Sequence, residues 1–251
     1  MEKLQLVAQI ILITIICYPL STLIHELGHI VCGLLHHWQL YMLVVGPFKV
    51  YRETPEAKIK FALEKNVVMW FGVGGTLPVT ESDENMNTWG KILLSGPLAS
   101  IITGTVALIL RVYIIKKSWF LLMFSLVSLA IGVMCLLPSK MKTGFLYNDG
   151  TRYKRLKNGG KEGDEERAIF KLIEMTCTNS EINHYPADMI AALINSDDYE
   201  MNYYGYYYNY YNAAQKQDKE EMAVQLSNME KIRDKTSRIV VDDCKIEPQS
   251  E

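Results

Sequence analysis

No C-x-x-C pair occurs among the five cysteines, Cys17, Cys32, Cys135, Cys177 and Cys244, so neither a disulfide framework nor a cysteine zinc site is indicated. Three of them fall in apolar runs and read as small hydrophobes. An excess of one charge is missing too: the formal net charge is -2, and no nucleic-acid partner is expected. From Leu4 to Ile24 there is no charged residue at all, and beyond about Pro138 there is no long apolar run. The mean hydropathy of +0.03 is therefore the sum of two unlike parts, a membrane portion and a polar, tyrosine-rich tail.

What is present begins with three long apolar stretches. The first continues from Leu4 past His29 to Leu35. As a helix it reaches roughly 50 Å, more than the ~30 Å hydrocarbon core, so it must tilt, bend at Pro19 or project. A secretory signal peptide is the rival reading, but the run is too long for one and no small-residue cleavage site follows. The second stretch is Ile92 to Leu110 and the third Trp119 to Leu137, each about the length of one crossing. If all three cross, the segment 37–91 and the tail share one side and carry most of the lysines and arginines. Only Lys3, Arg111, Lys116 and Lys117 lie on the other. The positive-inside rule then puts the tail in the cytoplasm and the N-terminus outside, and the location expected is that of a multi-pass protein of the plasma membrane.

Between the first two stretches, Leu40–Tyr51 and Asn66–Val79 are short strand-like runs punctuated by glycine and proline. They fit a hairpin or small sheet near the membrane surface, or equally an irregular interfacial loop anchored by Trp70 and Phe71. The fold class expected is mainly α: a polytopic membrane protein with about three transmembrane helices, a short β-like surface segment and a helical soluble C-terminal tail.

The chemistry is carried by His25-Glu26-Leu27-Gly28-His29, which fits H-E-x-x-H. On a helix, residues four apart stand one turn above each other, so both imidazoles can reach one metal ion with Glu26 beside it. Zinc takes imidazole readily, a catalytic site needs a third protein ligand and an open position, and Glu26 is placed as general base. Three ionisable residues within five positions of an uncharged membrane helix are costly and point to function. His36 and His37, just before Trp38, read as interfacial residues, and His184 as a surface histidine.

These residues resemble the site-2 protease family of intramembrane zinc metalloproteases. The resemblance covers residues 4 to 150 and rests on HELGH in the first helix, Gly96-Pro97-Leu98-Ala99-Ser100 in a later one, and Asp149-Gly150 after Cys135-Leu136-Leu137-Pro138. It implies Asp149 as the third zinc ligand, a three-helix catalytic core and cleavage of peptide bonds in or near the membrane, as in regulated intramembrane proteolysis. Two positions depart from the family's pattern: Ser100 and Cys135 each stand where asparagine is usual. Asp149 also lies eleven positions beyond Pro138, more than the handful expected. Asn-Asp-Gly is in addition an ordinary turn sequence, which would explain Asp149 without metal.

The expected division is an intramembrane metalloprotease domain over 1–150 and a cytoplasmic helical tail over 151–251. In the tail, Gly163–Cys177, Met189–Ile194 and Met222–Ile232 carry amphipathic helical spacing, and eight tyrosines fall between Tyr199 and Tyr211, read as an aromatic-rich helix packed on its neighbour. Asp242–Glu251 reads as disordered. The partners expected are the lipid bilayer, a membrane-spanning or membrane-associated protein or peptide substrate, and a protein partner for the tail. The competing function is a non-catalytic membrane metal-binding pseudoprotease that holds a partner peptide; Glu26 argues against it, since a structural metal site does not need the base.

Overall fold

A computed structural model describes residues 2–53, 57–139, 142–143, 146–178 and 184–246. The architecture is mainly α, with three long apolar helices and a small sheet, and the chain forms two compact units. The first comprises residues 1–140 and 148–153, the second 141–147 and 154–251.

In the first unit, α1 (Glu2–Leu35), α2 (Asn85–Tyr113) and α3 (Trp119–Leu136) are each long and apolar enough to cross a membrane. The α1 helix runs through Pro19 without interruption. Only residues 114–118 separate α2 from α3, and Ser118 starts α3 by accepting the Leu121 N–H at its hydroxyl (3.2 Å). Small residues line the contacts between these helices, as expected where lipid on the outside gives no hydrophobic drive for association. Gly28 of α1 faces Ser95 and Ala99 of α2, Gly104 of α2 faces Ser128 of α3, and the Ser21 and Ser128 hydroxyls bond at 2.8 Å. The outer surface is apolar, with Ile15, Ile102, Leu126 and Met134 exposed.

The chain after α1 forms β1 (Gln39–Val45), β2 (Phe48–Tyr51), β3 (Lys60–Leu63) and β4 (Val73–Leu77), an antiparallel sheet in the order β3-β2-β1-β4. The register pairs Val45 with Phe48 and Phe48 with Leu63, and Leu43 with Val50 and Val50 with Phe61, so one face is apolar. The stretch Asn66–Val79 is not one strand. Asn66 accepts the Val68 N–H and starts a 3-10 turn, Val67–Phe71, and Gly72 at φ 112° then turns the chain into β4. Trp70 closes the corner, donating its indole N–H to the Glu64 carbonyl.

Beyond α3, the short pair β5 (Lys142–Thr143) and β6 (Leu146–Tyr147) takes up the extra length between Pro138 and Asp149. Asp149 does not sit in a free turn: it opens α4 (Asp149–Asn158).

The second unit is built from α5 (Gly160–Thr178), α6 (Ala187–Ile194), α7 (Tyr199–Gln215), α8 (Lys219–Ile232) and α9 (Arg238–Asp243). Its core gathers Leu172, Leu193, Met201, Met229 and Val240 with Tyr203, Tyr204 and Tyr208. The tyrosine run is thus the aromatic-rich helix expected, packed against both α6 and α8. Burial pushes the Tyr204 and Tyr208 hydroxyls well above the usual phenol range, so they stay neutral, and Tyr204 donates to Asp243 (2.8 Å). Arg155 is buried against Glu165 at 2.6 Å. The expectation of disorder from Asp242 onward fails at its start, because Asp242 and Asp243 close α9 and Cys244 is buried in the core. Residues 247–251 lie outside the described residues.

Candidate metal centre

Helical periodicity places His25 and His29 on one face of α1, and that face is turned into the bundle: both are buried, as is Glu26. The His25 and His29 Nε2 atoms are 3.2 Å apart, and Asp149 Oδ2 lies 3.3 Å from the first and 3.5 Å from the second. Among the described residues these three form the group of side chains able to hold a metal ion. The distances can be set against zinc chemistry. Four tetrahedral bonds of about 2.0–2.2 Å put neighbouring ligand atoms roughly 3.3–3.5 Å apart, so the donor set fits such an ion.

The other ring nitrogen of each histidine has a partner that aims Nε2 inward. His29 Nδ1 donates to the Ile92 carbonyl at 2.7 Å, and His25 Nδ1 meets the Ser100 hydroxyl at 3.1 Å. Ile92 and Ser100 both belong to α2, so that helix orients the two imidazoles. Ser100, the departure noted in the Gly-Pro motif, is thereby a working neighbour of the site. Gly96 of the same motif provides room, since a Cβ there would stand 2.2 Å from His29 Nε2. Asp149 completes the triangle from α4. Burial alone would push its carboxyl up, but His29 and then His25 outweigh that and hold it below its ordinary range, as an anion.

Glu26 rests on β4. A Cβ at Gly72 or Gly74 would come within 2.6 or 2.7 Å of its carboxylate oxygens. The glycines of β4 are therefore what lets the strand backbone approach this helix. The sequence reading did not single them out, nor Ile92, nor Asn148; a run of three glycines between Gly72 and Gly75 is the only local signal. His36 and His37 are not part of the group: His36 Nδ1 donates to the Cys32 carbonyl at 2.9 Å, its Nε2 lies 3.1 Å from Lys91 Nζ, and His37 turns the chain at φ 63°. His184 is exposed. Cys135 does not join the donor set either; the side-chain amide at this end of α3 comes from Asn148.

No family model, no curated protein and no solved structure matches this chain.

Proposed function

We propose that this chain is an intramembrane zinc metalloprotease, cleaving peptide bonds of membrane-embedded or membrane-associated proteins or peptides. The observation that carries the reading is the triangle of His25 Nε2, His29 Nε2 and Asp149 Oδ2, with sides of 3.2, 3.3 and 3.5 Å, beside Glu26 and inside an apolar three-helix bundle. Two imidazoles and one carboxylate are a catalytic type of zinc set, leaving a fourth position open. Bound there, zinc supplies Lewis acidity, polarising a peptide carbonyl and making water acidic enough to attack near neutral pH.

The remaining work falls to the chain itself. Glu26 accepts the proton of the attacking water and returns it to the departing amine. Gly72 and Gly74, having no side chains, leave the space that this carboxylate occupies. Ser100 and the Ile92 carbonyl hold the imidazoles, and the buried surroundings limit competing water. A peptide bond inside a helix has its carbonyl hydrogen-bonded, so the substrate must unwind locally. β4 is an edge strand next to Glu26, and an unwound segment laid along it would find backbone partners. In this reading the tail lies in the cytoplasm, the protein belongs to the plasma membrane, and the tail offers a surface for a protein partner.

The test is metal analysis of the purified full-length chain together with a comparison of membrane peptides in cells holding wild type or Glu26→Gln. The expected result is one zinc per chain in both, lost in Asp149→Ala, and a substrate that persists uncleaved with Glu26→Gln. Full biological activity in the Glu26→Gln protein would sink the enzyme in favour of the peptide-binding pseudoprotease.

A further inference from the structure

The residue that sets Asp149 in place is its neighbour in the chain. A helix leaves its last carbonyls without internal partners, and α3 has an additional gap: the Met134 carbonyl would look to the N–H of residue 138, which is Pro138 and has none. Asn148 fills that gap. Its amide donates to the Met134 carbonyl at 2.8 Å and to the Leu137 carbonyl at 2.7 Å, using both of its hydrogens.

The same side chain organises the helix that follows. Asn148 Oδ1 accepts the Thr151 N–H at 3.1 Å and the Thr151 hydroxyl lies 2.5 Å from it, while the Asn148 carbonyl accepts the Arg152 N–H at 3.1 Å. Asn148 is thus the cap of α4 and the fastening of α4 to α3 at once. Thr151 adds a second tie, accepting the Ser139 N–H at 2.7 Å and donating to the Ser139 carbonyl at 2.9 Å. Between them, Gly150 has no room for a side chain, since a Cβ would lie 1.8 Å from the Leu136 carbonyl oxygen. Arg152, one turn on from Asn148, stacks its guanidinium on Trp89 of α2 at 4.9 Å. The carboxylate that meets the two imidazoles projects from the middle of this fastened turn.

We infer that Asn148 is a positioning residue for the metal centre: by bonding the two open carbonyls at the end of α3 while capping α4, it delivers the Asp149 carboxylate to His25 and His29. The assignment rests on the metal reading above. Aspartate at this position would keep the capping oxygen and nearly the same shape but bring no N–H, leaving the Met134 and Leu137 carbonyls facing a carboxylate.

The experiment uses the full chain in lipid nanodiscs, with zinc affinity measured by chelator competition, the visible absorption of the cobalt-loaded protein as a report on ligand geometry, and thermal unfolding as the stability control. Asn148→Asp is expected to weaken zinc binding about 10- to 100-fold, the range for removing a partner that orients a ligand, and to alter the cobalt spectrum. Ser128→Ala, which removes the bond to Ser21 and none of the contacts made by His25, His29 or Asp149, is expected to leave both unchanged. Should Asn148→Asp fail to fold, Thr151→Val, which keeps Asn148 and removes one tie, is expected to show a smaller weakening of the same kind. If wild type binds both ions and the folded variants match it in affinity and cobalt spectrum, the assignment is overturned while the metal reading stands. If wild type binds neither ion, the metal reading falls and takes the assignment with it.

Discussion

The first unit buries Ser21, Ser100, Ser125 and Ser128 and exposes Ile15, Leu126 and Met134, whereas the second buries Leu172, Leu193 and Met201 and exposes Lys161, Lys219 and Lys231. Each arrangement suits its surroundings. Where lipid is the solvent, apolar side chains gain nothing by turning inward, and helices are held by close contact of small residues and a few hydrogen bonds. Where water is the solvent, apolar burial dominates. Buried charge consequently has a different meaning in the two units. In the tail, buried Glu165 pairs with Arg155 and joins α5 to α4, and buried Glu174 pairs with Lys171 one turn away on the same helix. In the membrane-type unit, the buried histidines and carboxylates among the described residues are His25, Glu26 and His29, and Asp149 closes on them to complete a group able to hold a metal ion.

That contrast can be broken or sharpened by substitution. The largest effect is expected at Glu26→Gln, where loss of the proposed general base should lower substrate turnover at least about 100-fold while zinc content stays at the wild-type level. Measured in parallel by metal analysis and substrate processing, retained turnover would make Glu26 another structural acid like those of the tail. Leu193→Ala in the tail comes next: emptying a fully buried leucine site should cost about 2–5 kcal/mol in thermal or denaturant unfolding of the second unit, with zinc affinity unmoved. A change in zinc affinity there would mean that the two halves are not energetically separate. Ser100→Ala should weaken zinc binding about 10-fold by freeing the His25 ring, with little change in unfolding. The smallest effect is expected for Ser128→Ala, which deletes the 2.8 Å bond to Ser21; in a membrane bundle such a bond is worth about 0.6 kcal/mol, and a loss of several times that would show the serines, not shape, to be holding the helices.

Much of this was legible in the sequence, for reasons that differ by residue. The three long helices follow from run length and the absence of charge, and the spacing of His25 and His29 fixes their common face by helical geometry alone. Asp149 was readable only through the family resemblance, because it lies eleven positions beyond Pro138 and nothing local shows that β5 and β6 take up that length. The roles of Gly96, Gly74 and Asn148 were not legible: each depends on a partner in a distant part of the chain, the imidazole of His29, the carboxylate of Glu26 and the open end of α3. The strand-like reading of Asn66–Val79 holds for β4, while the cap at Asn66 and the turn at Gly72 set the residues before it into a 3-10 turn. At Asp242–Glu251, low apolar content concealed the anchoring of Asp243 by Tyr204.

The bond between His25 and Asp149 spans 124 positions of sequence. During biosynthesis the two imidazoles therefore leave the ribosome long before the carboxylate does, and the third long helix must be laid down between them. A nascent chain stalled after α2 holds a two-histidine half-site with no acid to complete it, so the machinery comes into being only once the last span and its returning turn are in place. On the protease reading proposed above, such an order of assembly would leave an unfinished chain without its third ligand beside the other nascent proteins inserted with it.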